Sequence, residues 1–284
     1  MGLVIMISSL ITYILGTRYV ADPDLVSLIV MVITIILLVI TFSMTRSLEG
    51  LAEANKLKSE FISIVSHQLR SPISNAKWAA EVLISKRFGN LDDKQVEYIK
   101  IFQENNDRMA ELVSDLLMVS RIEEGKLIFQ PIEFDLKELT EKIIIEFRPL
   151  AEASNVKIDL EFSSQPLKVW ADPVRIKIVL ENFLDNAIRY IRESGTVKIK
   201  IKNLGSRLLF EIKDTGVGIP KQDQQHIFQR FFRSENVLKD QTHGSGLGLS
   251  IAKSIIEKSK GKIWFKSQEG IGSTFWFTLP IKQT

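Results

Sequence analysis

The chain opens with two apolar runs. Leu25 to Met44 is twenty residues without a charge, about 30 Å as a helix, which matches the hydrocarbon thickness of a bilayer. It reads as a transmembrane helix. Leu3 to Leu15 is apolar but only thirteen residues long; it spans only if it runs on to Val20 with Arg18 snorkelling into the headgroups. A signal peptide is the rival reading, but no positive stretch precedes the run and no small-residue cleavage site is clear. The preferred reading is a two-helix hairpin within residues 1–44, with a loop of Gly16 to Asp24. Arg46, Lys56 and Lys58 follow the second helix, whereas the loop sets Arg18 against two aspartates. That bias puts the bulk of the chain in the cytoplasm, as a multi-pass protein of the inner (cytoplasmic) membrane.

From Thr45 the helix is expected to continue, since neither proline nor a turn cluster intervenes before Pro72. Leu51, Ala54, Lys58 by its stem, Phe61, Ile62, Val65 and Leu69 fall within about 100° of one another, an apolar stripe of the kind that packs in a bundle. His67 lies roughly 170° from the centre of that stripe and faces water. After a turn-rich stretch at 86–93, apolar positions return at helical spacing (Val96, Ile99, Phe102, Met109, Leu112/Val113, Leu116) and run to Glu123. Two long helices with a short connection form an antiparallel hairpin. One hairpin buries a narrow seam, so a homodimer making a four-helix bundle is the simplest cover for the rest. Gly125 marks the helix end.

Beyond Gly125 the periodicity becomes α/β. It predicts a strand at 127–134, a helix at 136–153, a strand at 156–162 and a helix at 173–191. Strands at 196–203 and 207–213 are separated by the turn Asn203-Leu-Gly205-Ser206. A polar loop with an aromatic segment (219–245) leads to a helix at 246–259 and strands at 262–267 and 274–279. The fold class is α+β: the membrane helices, the dimerising hairpin, then a sandwich with a mixed sheet and helices on one face. The domains are 1–44, 45–125 and 126–284.

Composition sharpens this division. Of 37 Lys/Arg and 34 Asp/Glu, residues 1–44 hold only Arg18, Asp22 and Asp24. The rest is charged and globular. Zero cysteines exclude a disulfide framework, a thiolate metal site and a cysteine nucleophile. Three histidines make a poor multi-His centre, and a net charge of +3 with no basic tract gives no nucleic-acid footprint.

Three constellations carry chemistry. Asp214-Thr-Gly216-Val-Gly218-Ile-Pro220 follows a strand, with glycines that let the backbone approach a ligand and an aspartate able to accept from an exocyclic amine. Alone it also fits an ordinary turn. Gly244-Ser-Gly246-Leu247-Gly248-Leu249 precedes a helix, whose N-terminal N–H groups suit phosphate oxygens. Alone it also fits a flexible loop, being neither a Rossmann fingerprint nor a P-loop. Asn182, Asn186 and Arg189 share a face of the preceding helix, offering amide oxygens to a hard cation and a guanidinium to phosphate; a solvated polar face is the alternative. Paired asparagines inside a helix are costly without a ligand.

In combination, S-H-Q-L-R-S-P (66–72), N-F-L-D-N-A-I-R-Y (182–190), D-T-G-V-G-I-P (214–220), I-F-Q-R-F-F-R (227–233) and G-S-G-L-G-L (244–249) resemble the membrane sensor histidine kinases. The resemblance extends from about residue 58 to 280, including L-L-M-V-S-R-I-E-E-G (116–125) and G-S-T-F (272–275). It implies a dimerising hairpin and a Bergerat-type ATP-binding domain that autophosphorylates His67 and passes the phosphoryl group to an aspartate of a separate response regulator. On that resemblance Asn186 ligates Mg²⁺, while Asn182 and Arg189 sit by the phosphates. Tyr190 and Asp214 contact adenine. Gly216, Gly218, Gly244, Gly246, Leu247, Gly248, Leu249 and Thr274 shape the ATP site, and Arg230 and Arg233 reach the phosphates or the helical domain.

Two positions depart from the family pattern. Gln68 stands where a carboxylate usually accepts the imidazole proton, which an amide cannot do. Ser71 stands where Thr or Asn usually orients water for dephosphorylating the partner. An alternative reading is therefore a kinase-weak, phosphatase-dominated or pseudokinase regulator of the same fold. A molecular-clamp ATPase of the wider superfamily would not need S-H-Q-L-R-S-P, and a membrane adaptor would not need the paired asparagines. The short membrane loop leaves no room for an extracellular sensor, so the signal is expected within the bilayer or from a neighbouring membrane protein. With no receiver domain after residue 284, the regulator is expected to be another chain.

Overall fold

The computed structural model describes residues 2–20, 22–85, 89, 91–163, 167–234 and 244–281. Part of the predicted turn (86–88 and 90), part of the predicted loop (235–243) and the side chain of Lys58 in the predicted stripe lie outside the described residues. Contacts divide the chain into two compact units, Met1–Phe61 and Ile62–Thr284.

In the first unit, α1 (Gly2–Tyr19) is followed by α2 (Pro23–Ile84), which runs on into the second. The break is shorter than the predicted Gly16–Asp24 loop. Thr17 bonds back to the Tyr13 carbonyl, so the first helix keeps winding past Gly16. Asp22 then accepts the N–H groups of Asp24 and Leu25 at 3.0 and 3.4 Å ahead of Pro23, which suits a first helical position. The two helices pack antiparallel. A Cβ on Gly16 would press on Val26, and Ser9 Oγ meets Thr34 Oγ1 at 2.8 Å. Small residues and hydroxyl pairs of this kind bring apolar helices together where water is absent. Among the described residues one stretch, Pro23–Ala54, is long and apolar enough to cross a membrane.

In the second unit α2 pairs with α3 (Asp93–Glu123), which begins with a capping box formed by Asp92 and Gln95. Their seam takes in only part of the predicted pattern: Val113 is buried and Ile62, Val65, Val96, Ile99 and Leu116 are half-buried. Leu69 on α2 and Phe102, Met109 and Leu112 on α3 stay exposed. The residues turned inward are Ser66, Ile73, Ala76 and Ala80, against Asn106, Val113 and Leu117. Asn106 Nδ2 donates to the Ile73 carbonyl at 3.0 Å, and Lys77 pairs with Asp107 at 2.8 Å. Small side chains let the two helices close on each other, which leaves Leu69, Phe102, Met109 and Leu112 facing outwards.

The sandwich comprises β1 (Ile132–Asp135), α4 (Leu136–Ala153), β2 (Val156–Phe162), β3 (Lys168–Ala171), α5 (Pro173–Arg189), β4 (Gly195–Asn203), β5 (Arg207–Asp214), α6 (Gly248–Lys258), β6 (Lys262–Gln268) and β7 (Gly272–Pro280). Strand 127–134 shrinks to four residues paired antiparallel with β3, a strand the periodicity does not predict. Residues before it are tied down differently, by Gln130 N–H donating to Asp172, the residue that also caps α5. The main sheet runs β2-β4-β5-β7-β6, with β2 and β4 parallel and the other pairs antiparallel. Alternation sends Ile199, Ile201, Phe210, Ile212, Phe277 and Leu279 into the core beneath α5 and α6, and leaves Lys198, Lys200, Glu211, Trp264 and Trp276 on the open face. Phe183 of α5 meets Phe275 and Phe277 with ring centroids 5.4 and 6.0 Å apart. This packing fixes α5 over the sheet and so fixes the face of α5 that carries the asparagines.

Candidate functional site

That face opens onto a cleft of about 500 Å³, a size usual for small-molecule sites. Its lining includes Asn182, Asn186, Arg189, Tyr190, Asp214, Gly218, Arg233, Gly244, Gly246, Gly248 and Leu249, so three separate sequence motifs converge on one space.

Asn182 donates its Nδ2 to the Ile178 carbonyl at 2.8 Å, one helical turn back, which leaves its side-chain oxygen as the group presented outward. Arg189 Nε is held by both carboxylate oxygens of Asp185 at 2.7 Å. The helix ends there: Tyr190 is the C-cap rather than a helical residue. Its carbonyl accepts the Val217 N–H at 3.0 Å and lies where any Cβ on Gly216 would strike it. The glycine lets the D-T-G-V-G loop close against the end of α5.

Asp214 ends β5 and is 6% exposed. One of its oxygens, Oδ1, accepts the Gly216 and Ser273 N–H groups at 2.8 and 3.1 Å. Burial pushes its carboxyl up from the ordinary range, and those backbone bonds pull it part of the way back. Burial likewise raises the Tyr190 phenol. The result is a sequestered carboxylate held in one orientation, able to accept from a ligand's amine through its second oxygen.

On the other side of the cleft, Gly246 (φ +69°) bonds through its carbonyl to the Phe231 N–H at 2.9 Å. Phe231 itself is left-handed, at φ +61°, and exposed. A bulky residue in that region is strained, and here it carries the turn that seats the aromatic segment under the glycine loop. Leu247, 1% exposed, anchors that loop in the core as the residue before α6. The first turn of α6 therefore enters the cleft with backbone N–H groups free of any side-chain cap, a site for anions.

Some expected residues lie elsewhere. Thr274 does not line the cleft; β7 alternates, so Ser273 and Phe275 do, and Thr274 lies on the open face between Lys213 and Lys266. Arg230 is paired with Glu123 of α3, on the helical hairpin. His67, Gln68 and Ser71 are exposed on α2 and outside the cleft lining. Arg108, Glu111 and Asp115 of α3 line it unexpectedly. Among the described residues no group of three or more His, Cys, Asp or Glu could hold a metal ion.

Two family models match the chain. The His Kinase A (phospho-acceptor) domain covers residues 57–125, and the histidine kinase-, DNA gyrase B-, and HSP90-like ATPase covers residues 171–283. The chain belongs to the sensor histidine kinases. Among the members of this family, the circadian input-output histidine kinase CikA of Synechococcus elongatus is 34% identical over 229 residues, which is 80% of this chain and 30% of that protein. Full-length ShkA, solved in complex with AMPPNP, superposes with a TM-score of 0.66 at 26% identity, over 78% of this chain and 45% of that one. The histidine kinase ThkA in complex with the response regulator TrrA gives 0.56 at 26% identity, over 80% and 64%. His67 falls within the His Kinase A match and most of the cleft within the ATPase match, and the chain spans about a quarter to a third of the length of the curated relatives it matches.

Proposed function

We propose that this chain binds ATP·Mg²⁺, phosphorylates His67 and passes the phosphoryl group to an aspartate on the receiver domain of a response regulator. The observation that carries this reading is the convergence, in one cleft, of a buried carboxylate, an asparagine pair and an uncapped helix N-terminus. Asp214 accepts from the adenine amine, beside Tyr190. The first turn of α6, with Gly244, Gly246 and Gly248, takes the phosphates, with Arg233 at the cleft edge.

Mg²⁺ suits the donor set. It prefers hard oxygen ligands and needs few from the protein when phosphates supply others; when bound it neutralises charge on the phosphates as transfer proceeds. Asn186 would hold it. The rest is positioning, which is most of what phosphoryl transfer asks of a protein. A ring nitrogen of His67 attacks the γ-phosphorus, the bond to the β–γ bridging oxygen breaks, and ADP leaves. The imidazole proton goes to water or a nearby carboxylate, since the Gln68 amide cannot take it. The regulator's carboxylate then attacks the phosphorus, the P–N bond breaks, and His67 recovers a proton. Ser71, exposed one turn after His67, would orient water for a separate reaction, hydrolysis of the regulator's aspartyl phosphate, in which water attacks phosphorus and the bond to the carboxylate oxygen breaks.

Gln68 supports a second reading, in which autophosphorylation is slow and phosphatase activity dominates. The remaining assignments belong to the proposal too: a transmembrane hairpin in residues 1–44, a signalling and phosphoacceptor segment in 45–125, and an ATP-binding domain in 126–284. The Ser9–Thr34 and Gly16–Val26 contacts support two membrane helices, and so a multi-pass protein of the inner membrane with its kinase in the cytoplasm. Exposed Leu69, Phe102 and Met109 support a homodimer, and a neighbouring membrane protein remains the candidate source of signal. Incubated with ATP·Mg²⁺ in nanodiscs, the chain should accumulate acid-labile phosphate and lose it to a receiver domain that has a phosphorylatable aspartate. No labelling under any lipid or ionic condition would end this reading.

A further inference from the structure

Among the described residues, two polar contacts between α3 and the sandwich land on residues of its nucleotide face. Ser245, within the glycine-rich loop, donates its hydroxyl to Asp115 Oδ2 at 2.8 Å. About two turns further along α3, Glu123 pairs with Arg230 of the aromatic segment that carries the same loop. Asp115 is a cleft residue, beside Glu111. Burial pushes the carboxyls of both upward; at Asp115 the Ser245 bond opposes this, and at Glu111 the nearby Asp185 charge adds to it.

A serine hydroxyl has one hydrogen to donate. Ser245 gives it to Asp115, while its oxygen accepts the Leu247 N–H at 3.1 Å. Nothing is left for a phosphate oxygen arriving at the first turn of α6. The arriving phosphates would also meet the negative charge of half-buried Asp115 and exposed Glu111, both of which line the cleft.

We propose that Asp115 competes with nucleotide phosphate for the Ser245 hydroxyl, so that nucleotide binding frees the glycine-rich loop from the helical hairpin. This rests on the ATP-binding reading above. The coupling is reciprocal: a hairpin that holds Ser245 weakens nucleotide binding by the factor by which nucleotide weakens the hairpin's hold. A signal that shifts α3 therefore has one route to the cleft through this hydrogen bond.

The test is calorimetric titration of the Mg²⁺ complex of AMPPNP, a nonhydrolysable ATP analogue, into the full chain in nanodiscs. Asp115→Ala should lower Kd by at least about fivefold, the lower end of ordinary coupling between sites. In a Ser245→Ala background the same change should alter Kd by less than about twofold, because the shared donor is gone and the two substitutions cease to be independent. Asp115→Leu, close in size, suited to a helix and unable to accept the hydroxyl, should tighten binding in the same direction even if the alanine variant unfolds. Saturable binding that both Asp115 substitutions leave unchanged or weaken overturns the competition and leaves the nucleotide reading standing. Absence of saturable binding in every form overturns both.

Discussion

The side-chain oxygen of Asn182 lies so close to the backbone of Gly248 that a Cβ at 248 would collide with it. Asn182 cannot easily retreat, because its amide nitrogen is bonded to the Ile178 carbonyl at 2.8 Å. Gly248→Ala therefore forces either the asparagine or the start of α6 to move, a strain of about 1–3 kcal/mol. The expected outcome is a loss of nucleotide affinity of roughly tenfold to a hundredfold with far-UV circular dichroism unchanged. Retained affinity in a titration with AMPPNP·Mg²⁺ would detach these two motifs from the nucleotide.

Asp214 trades stability for binding. Burial raises its folded-state pKa above the unfolded value, so the folded protein keeps that proton to higher pH than the unfolded chain does. Stability contributed by this group thus falls as pH rises through that interval, and the penalty is fully present once pH exceeds the folded-state pKa. Asp214→Asn should leave the thermal midpoint equal or higher at neutral pH, since an amide oxygen can still accept the Gly216 and Ser273 N–H groups. Nucleotide affinity should fall by about tenfold or more, the usual worth of a hydrogen bond to a charged group. Acidification should weaken ATP binding in the parent, starting above the ordinary carboxylate range, and this limb should vanish in the variant.

Gln68 decides between the two readings of activity. An amide does not act as a base at neutral pH, and a positioned general base contributes about 10²–10⁴-fold. Gln68→Glu should change the autophosphorylation rate little if water or another carboxylate already accepts the proton. A rise of about a hundredfold or more would instead mark the natural protein as a weak kinase whose main reaction is dephosphorylation of its partner.

Phe183, 2% exposed, packs with its ring tilted against Phe275 and Phe277 under the asparagine face. Phe183→Ala should cost about 3–5 kcal/mol, read by chemical denaturation. Because the neighbouring residue is Asn182, nucleotide affinity should fall together with stability, and added nucleotide should recover part of the lost midpoint.

Much of the sandwich was legible in the sequence. Helix 136–153 and strand 156–162 match α4 and β2 as observed, because amphipathic periodicity and the Asp135 cap both mark their limits. Strand β3 was not, since Lys168–Ala171 is too short to establish a period. The hairpin stripe was legible only in part: a pattern of large apolar residues reports what needs covering, not by which partner, and small Ser66, Ala76 and Ala80, which carry no such signal, share the seam within the chain. In the cleft, Asn182, Asn186 and the glycine loop were readable because they are costly or special locally. Ser273 required the alternation of β7 to be anchored correctly, one residue away from Thr274. Asp115 and Glu111 gave no local signal at all, because only tertiary packing brings α3 against the glycine loop.

The central claim is that His67 carries the phosphoryl group. The direct measurement is mass-spectrometric localisation of phosphate, at neutral pH, after incubating the full chain with ATP·Mg²⁺. The account predicts phosphate on His67, acid-labile, absent from His67→Ala and lost with Asn186→Ala. Equal labelling of the His67→Ala protein, or phosphate stable to acid on another residue, would contradict it.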